Sequence, residues 1–80
     1  MDPIQVKTRS DQAGNIIPVR FEWRGQGYLV ESIGRRWQVQ DDLHILVMVP
    51  GGRAFHLRLD ASQQAWYLVR GSEIPTIPRI

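Results

Sequence analysis

The chain has 80 residues, 42% hydrophobic and 22% charged, with ten basic and eight acidic side chains and no cysteine. That length and balance predict one globular domain rather than a disordered chain, and the missing cysteines exclude a disulfide scaffold, a cysteine zinc site and a thiol nucleophile. The net charge of +2 is a mild bias, too small to imply a nucleic-acid partner by itself.

The opening MDPIQVKTRS contains no apolar run, so it does not read as a signal peptide. No stretch approaches the ~18 apolar residues of a membrane span, and a cytoplasmic location is expected. The first period-two run is Ile4–Thr8, followed by a polar loop, Ser10–Asn15. Val19–Arg24 then alternates strictly, Gly25-Gln26 suits a type II′ turn, and Tyr28–Ile33 returns. In that register Trp23 faces Tyr28, Phe21 faces Val30, and Arg20 faces Glu31 as an ion pair.

Gly34 permits a bend before Arg35–Gln40, and Asp41-Asp42 is expected to turn the chain. Leu43–Val49 is apolar on both faces except at His44, the mark of a central strand. Pro50–Arg53 is a turn, Arg53–Leu59 alternates again, Asp60–Ala65 is a loop, and Trp66–Arg70 is the last strand. A short helix from Ala61, capped by Asp60, competes with that loop; the aromatic and β-branched run after it argues for strand. Residues 71–80 contain two prolines and read as an extended tail, separate from the β domain of residues 1–70.

These elements predict an all-β fold, a small antiparallel barrel or strongly bent meander of five to six strands and SH3-like size. Chaining the registers sorts the second half into two faces. Trp37, Val39, Leu46, Met48, Phe55, Leu57, Leu59, Trp66 and Leu68 share one, expected to be core. Arg36, Gln38, Ile45, Val47, Val49, His56, Arg58, Tyr67 and Val69 share the other. Either the N-terminal strands close over its β-branched row or the face stays open to bind something. Closure is favoured because so short a chain leaves few apolar residues wet.

His44 and His56 are the only histidines, and the predicted register puts them on opposite faces with no matching carboxylate. No metal site, cofactor or catalytic constellation is expected, and the chain reads as a non-enzyme. What remains is arginine interleaved with aromatics: nine of the ten basic residues are Arg, the planar partner of phosphate and carboxylate. Trp23, Trp37 and Trp66 are expected in the core. The candidate binding residues are therefore Arg35, Arg36, His56, Arg58, Tyr67 and Arg70, facing single-stranded DNA or a partner protein. In the tail, Ile74, Ile77 and Ile80 recur every third residue. That is the repeat of polyproline II, and the three isoleucines are expected to dock on Ile45, Val47 and Val49 or in a partner's groove.

The run Pro18-Val19-Arg20-Phe21-Glu22-Trp23-Arg24-Gly25-Gln26-Gly27-Tyr28-Leu29-Val30, then Ile33-Gly34-Arg35-Arg36-Trp37, resembles a small uncharacterised bacterial domain family. Its pattern is roughly P-x-x-F-x-W-R-G-x-x-Y-x-V, then a hydrophobic residue and R-W. The likeness extends through Phe55–Asp60 and Trp66–Leu68. The segment after Trp37 lacks the family's frequent tryptophan pair, and residues 74–80 lie outside the pattern. Family members are often encoded beside, or fused to, error-prone Y-family DNA polymerases. The resemblance therefore implies an accessory role in a DNA-repair polymerase complex and assigns no catalytic residue. The competing expectation is a protein-interaction subunit with no nucleic-acid contact, engaging its partner through residues 72–80.

Overall fold

The computed structural model describes residues 2–70, with the side chain of Arg70 excepted. Seven strands form one antiparallel sheet: β1 (Asp2–Ser10), β2 (Ile16–Trp23), β3 (Gln26–Leu29), β4 (Ser32–Val39), β5 (Asp42–Val49), β6 (Arg53–Asp60) and β7 (Ala65–Arg70). Their spatial order is β3-β2-β1-β7-β6-β5-β4. The all-β expectation holds, with more strands than the five or six expected. Among the described residues no helix is long and apolar enough to cross a membrane.

The two edge strands are consecutive in sequence, so the sheet must curl. The link is Val30-Glu31, whose successive amides go to opposite ends of the strand order. Val30 N–H donates to Val19 O on β2 at 3.0 Å, and Glu31 N–H donates to Met48 O on β5 at 2.7 Å. The sheet is thereby a curled half-barrel whose concave side holds the core. Phe21, Ile45, Val47, Val49, Phe55, Leu57 and Leu68 are buried there, with Trp23, Tyr28 and Trp66 packed half-exposed around them. Pro18 sits in a strand interior where a donor is missing. It is tolerated beside a bulge: between Lys7↔Arg20 and Thr8↔Pro18 the register shifts, leaving Val19 as the extra residue on β2.

Three registers differ from those the sequence predicts. The β2–β3 hairpin turns at Arg24-Gly25, not Gly25-Gln26, so Phe21 pairs with Tyr28, Trp23 with Gln26, and Arg20 with Leu29. The Arg20–Glu31 ion pair does not form. Both turn residues have positive φ, 53° at Arg24 and 76° at Gly25, the signature of a type I′ turn, whose twist matches the strands. Arg24 takes this conformation with its guanidinium 4.8 Å over the Trp23 ring and 3.5 Å from Asp2. The shift is two residues, so every side chain keeps its face.

The β4–β5 turn falls at Gln40-Asp41 rather than Asp41-Asp42, with Val39 opposite Asp42. The third difference has the largest effect. Pro50, Gly51 and Gly52 form a three-residue loop, with φ of 95° and 76° at the glycines, and Val49 pairs with Arg53. Val47 then lies opposite Phe55 and Ile45 opposite Leu57. The β-branched row and the Phe55–Leu57 row therefore share the concave face, while Leu46 and Met48 move to the convex one. A one-residue slip reverses every side chain beyond it. Closure of the N-terminal strands over Ile45, Val47 and Val49 does occur, with Phe21 of β2 in the same cluster.

Candidate functional site

The same reversal assembles a cluster on the convex face of β4–β7. Trp37 is cross-strand from His44, His44 from Arg58, and Arg58 from Tyr67. Three strand spacings make this row about 14 Å long. Trp37, expected in the core, lies outside and half-buried. Its ring stacks on His44 with centroids 5.3 Å apart and planes 15° apart, and His56 approaches the same indole to 5.0 Å. The histidines, expected on opposite faces, share a hydrogen bond: His44 Nδ1 and His56 Nε2 are 2.8 Å apart. One ring donates its N–H to the other's lone pair, so of the two facing nitrogens one carries the hydrogen and the other does not.

The other half of the row is held by carboxylates. Arg58 Nε donates to Asp42 Oδ2 and Arg58 Nη2 to Asp60 Oδ2, each at 2.9 Å, and the guanidinium lies 5.4 Å from the Tyr67 ring. Asp42 Oδ1 also accepts from Ala61 N–H at 3.0 Å, and Asp60 Oδ1 accepts from the Ser62 hydroxyl and the Ser62 and Gln63 amides. Asp60 therefore does cap residues 61–64, as its position ahead of Ala61 suggests. The result is a single turn closed by Gln64 N–H to Asp60 O at 2.8 Å, with strand resuming at Ala65. The Tyr67 hydroxyl donates to Gln63 Oε1 at 2.8 Å, bracing the same turn.

These bonds favour the ionised carboxylates. Asp42 is held below its ordinary 3.8 chiefly by the Ala61 amide and then by Arg58, and Asp60 chiefly by the Ser62 hydroxyl and the Gln63 amide. A folded-state value below the unfolded one means that acid favours the unfolded chain. The stabilisation is present above pH 3.8 and is lost as pH falls through the lower folded values. Thermal melts from pH 6 to pH 2 should show the loss below about pH 4. Asp42→Asn and Asp60→Asn should start less stable at pH 6 and lose less on acidification; identical acid slopes for variants and parent would refute the assignment.

The expected binding residues are only partly brought together. His56, Arg58 and Tyr67 share the convex face, and Arg35 joins them with its guanidinium 5.7 Å from the Trp37 ring. Arg36 does not. It pairs with Ile45 on the concave side, where its Nη1 donates to Ile16 O at 3.0 Å. There it ties β4 to the start of β2 across the mouth of the half-barrel. The β4–β5 register shifts between Ile33 and Arg36, which aims Arg36 into that mouth. The Arg70 backbone pairs with His56, but its side chain, like Ile74, Ile77 and Ile80, lies outside the described residues. Ile45 and Val47, in the row expected to receive those isoleucines, are fully buried in the concave cluster.

Chemically the convex row is a shelf of planar groups with one guanidinium, Arg35, that forms no ion pair among the described residues. Arg58 is engaged by two carboxylates and serves to order the shelf. Among the described residues no three His, Cys, Asp or Glu side chains gather to hold a metal ion. The neighbouring mouth, a cleft of about 520 Å³, is lined by Asn15, Ile16, Arg36, Trp37 and Leu43 among others. Comparison with known proteins finds no matching family model, no similar curated protein and no similar solved structure.

Proposed function

We propose that the protein is a non-enzymatic accessory module that binds single-stranded nucleic acid, in a setting such as a DNA-repair polymerase complex. One observation carries this reading: an indole, Trp37, stands on the convex face of a small β half-barrel, stacked on His44 and flanked by the Arg35 guanidinium. Every base has a π face, so stacking on an aromatic side chain is tolerant of sequence. Arg35 is placed to meet the adjoining phosphate, and the Arg58–Tyr67 pair extends the shelf for a second base. The repair setting comes from the W-R-G-x-x-Y resemblance, and the binding surface comes from the shelf.

Titration of a fluorescein-labelled oligothymidylate at several salt concentrations tests it. Single strands release about 0.7 counterion per phosphate contact. Contacts through Arg35 and nearby cations should give a log–log salt slope of about −1 to −2. No binding at low salt overturns the proposal. That result favours the competing reading of a protein-interaction subunit, for which Leu29 and Val39 speak. They are 59% and 50% exposed on the two edge strands.

A further inference from the structure

The shelf leaves a second surface unexplained. β1 runs past its neighbour: β7 pairs with it only through Leu68, Tyr67 and Trp66, opposite Asp2, Pro3 and Ile4. On its other side β2 pairs with β1 as far as Ser10. From Val6 to Ser10, alternate N–H and C=O groups of β1 therefore point away from β2, on the side where β7 no longer pairs. No hydrogen bond among the described backbone groups outside the sheet ladders reaches this stretch, and Lys7 to Ser10 are exposed. The bulge at this level lies on β2, so β1 keeps a regular pleat along its open edge.

The charges along this edge are also unbalanced. Lys7 lies opposite Arg20 in register, with the Arg20 guanidinium turned away over Gly27 of β3. Neither residue, nor Arg9, forms an ion pair among the described residues. Lys7 and Arg20 help line a cleft of about 460 Å³ with Gln5, Val6, Phe21 and Glu22.

We propose that the β1 edge from Val6 to Ser10 is a strand-addition site for an extended acidic peptide of a partner protein. An added strand satisfies the open main-chain groups. Carboxylates at its alternate positions fall on one face, where they reach Lys7 and Arg9, two residues apart on β1 and both exposed. A nucleic acid neutralises the charges but brings no amides in register for the edge. A second copy of this chain brings amides but sets Lys7 and Arg9 against their own like charges. The acidic peptide satisfies both requirements. The inference is independent of the Trp37 shelf, which lies on β4–β7.

The probe is an end-capped eight-residue peptide alternating glutamate with threonine or valine, followed by fluorescence anisotropy and by amide exchange of the folded protein. The glutamate peptide should bind and slow exchange at alternate amides between Val6 and Ser10. The lysine counterpart should not bind. N-methylation of alternate peptide amides leaves the charge intact, and on the pairing edge it should weaken binding about tenfold or more. The double variant Lys7→Glu/Arg9→Glu, both at exposed positions, should lose a similar factor with an unchanged circular dichroism spectrum. Trp37→Ala should leave peptide affinity unaltered. Equal binding by both N-methylated forms, or binding indifferent to the charge reversal, overturns the proposal, as does an oligothymidylate whose affinity falls with the same double variant while the peptide's does not.

Discussion

Phe55→Ala should leave the chain largely unfolded at ambient temperature or melt it far below the parent protein. Phe55 is 1% exposed and sits at the centre of the aromatic cluster, its centroid 5.2 Å from Phe21, 5.1 Å from Tyr28 and 6.0 Å from Trp23. Removing a buried phenyl costs about 3–5 kcal/mol. A domain of this size has about 4–12 kcal/mol in total. With each kcal/mol worth about 4–8 °C, the melting temperature should fall by on the order of 12–40 °C. Phe55 also joins the halves of the sheet, since it pairs with Val47 on β5 and contacts rings from β2 and β3. Calorimetry of the variant measures this. A companion pair tests the face: Val47→Thr places a hydroxyl in the core, whereas Met48→Thr changes the convex surface. A larger loss for Met48→Thr than for Val47→Thr would mean that β5 faces the other way.

Most of the fold was legible because its signals are local. Period-two alternation marks Val19–Arg24 and Arg53–Leu59, and the β-branched and aromatic content marks Leu43–Val49 and Trp66–Arg70. Within each half of β4–β7 the predicted sharing of faces is the observed one. Arg36 with Ile45 and Trp37 with the even-numbered side of β5 hold in one half; Leu57 with Leu68 and Arg58 with Tyr67 hold in the other. The two halves join with opposite parity at Pro50–Gly52. Alternation could not decide that joint, because Leu43–Val49 is apolar on both faces and either side of it could serve as core. The glycines could: Gly51-Gly52 after Pro50 allow two successive positive φ values, and a three-residue loop follows from them.

The site was less legible for the same reason. His56, Arg58 and Tyr67 were correctly grouped by β6–β7 alternation. Trp37 and His44 were assigned away from them by the single parity step at the loop. Arg36 was misplaced by the same step: its grouping with Ile45 holds, and the loop sets that row on the face opposite His56 and Arg58. Nor does composition reveal that β1 outruns β7. That depends on where the Asp60-capped turn ends β6 and restarts the chain at Ala65.

Trp37→Ala should weaken oligothymidylate binding by far more than it lowers stability. One base stacked on an aromatic is worth about 1–3 kcal/mol, or roughly 5- to 150-fold in affinity. The indole is half-buried on the convex face and belongs to none of the concave cluster, so the core should survive its loss. The imidazoles respond to it, since both lie against the ring. Trp37→Phe separates stacking from folding: it keeps a π face on His44 and should restore most of the affinity, in the order Trp, Phe, Ala. Arg35→Gln acts differently. It removes a charge and should flatten the salt slope by about 0.7 while leaving the stacking in place. If Trp37→Ala binds as tightly as the parent at every salt concentration, bases do not stack on this shelf. Trp37 is then a brace for the His44–His56 pair, and the nucleic-acid reading falls with it.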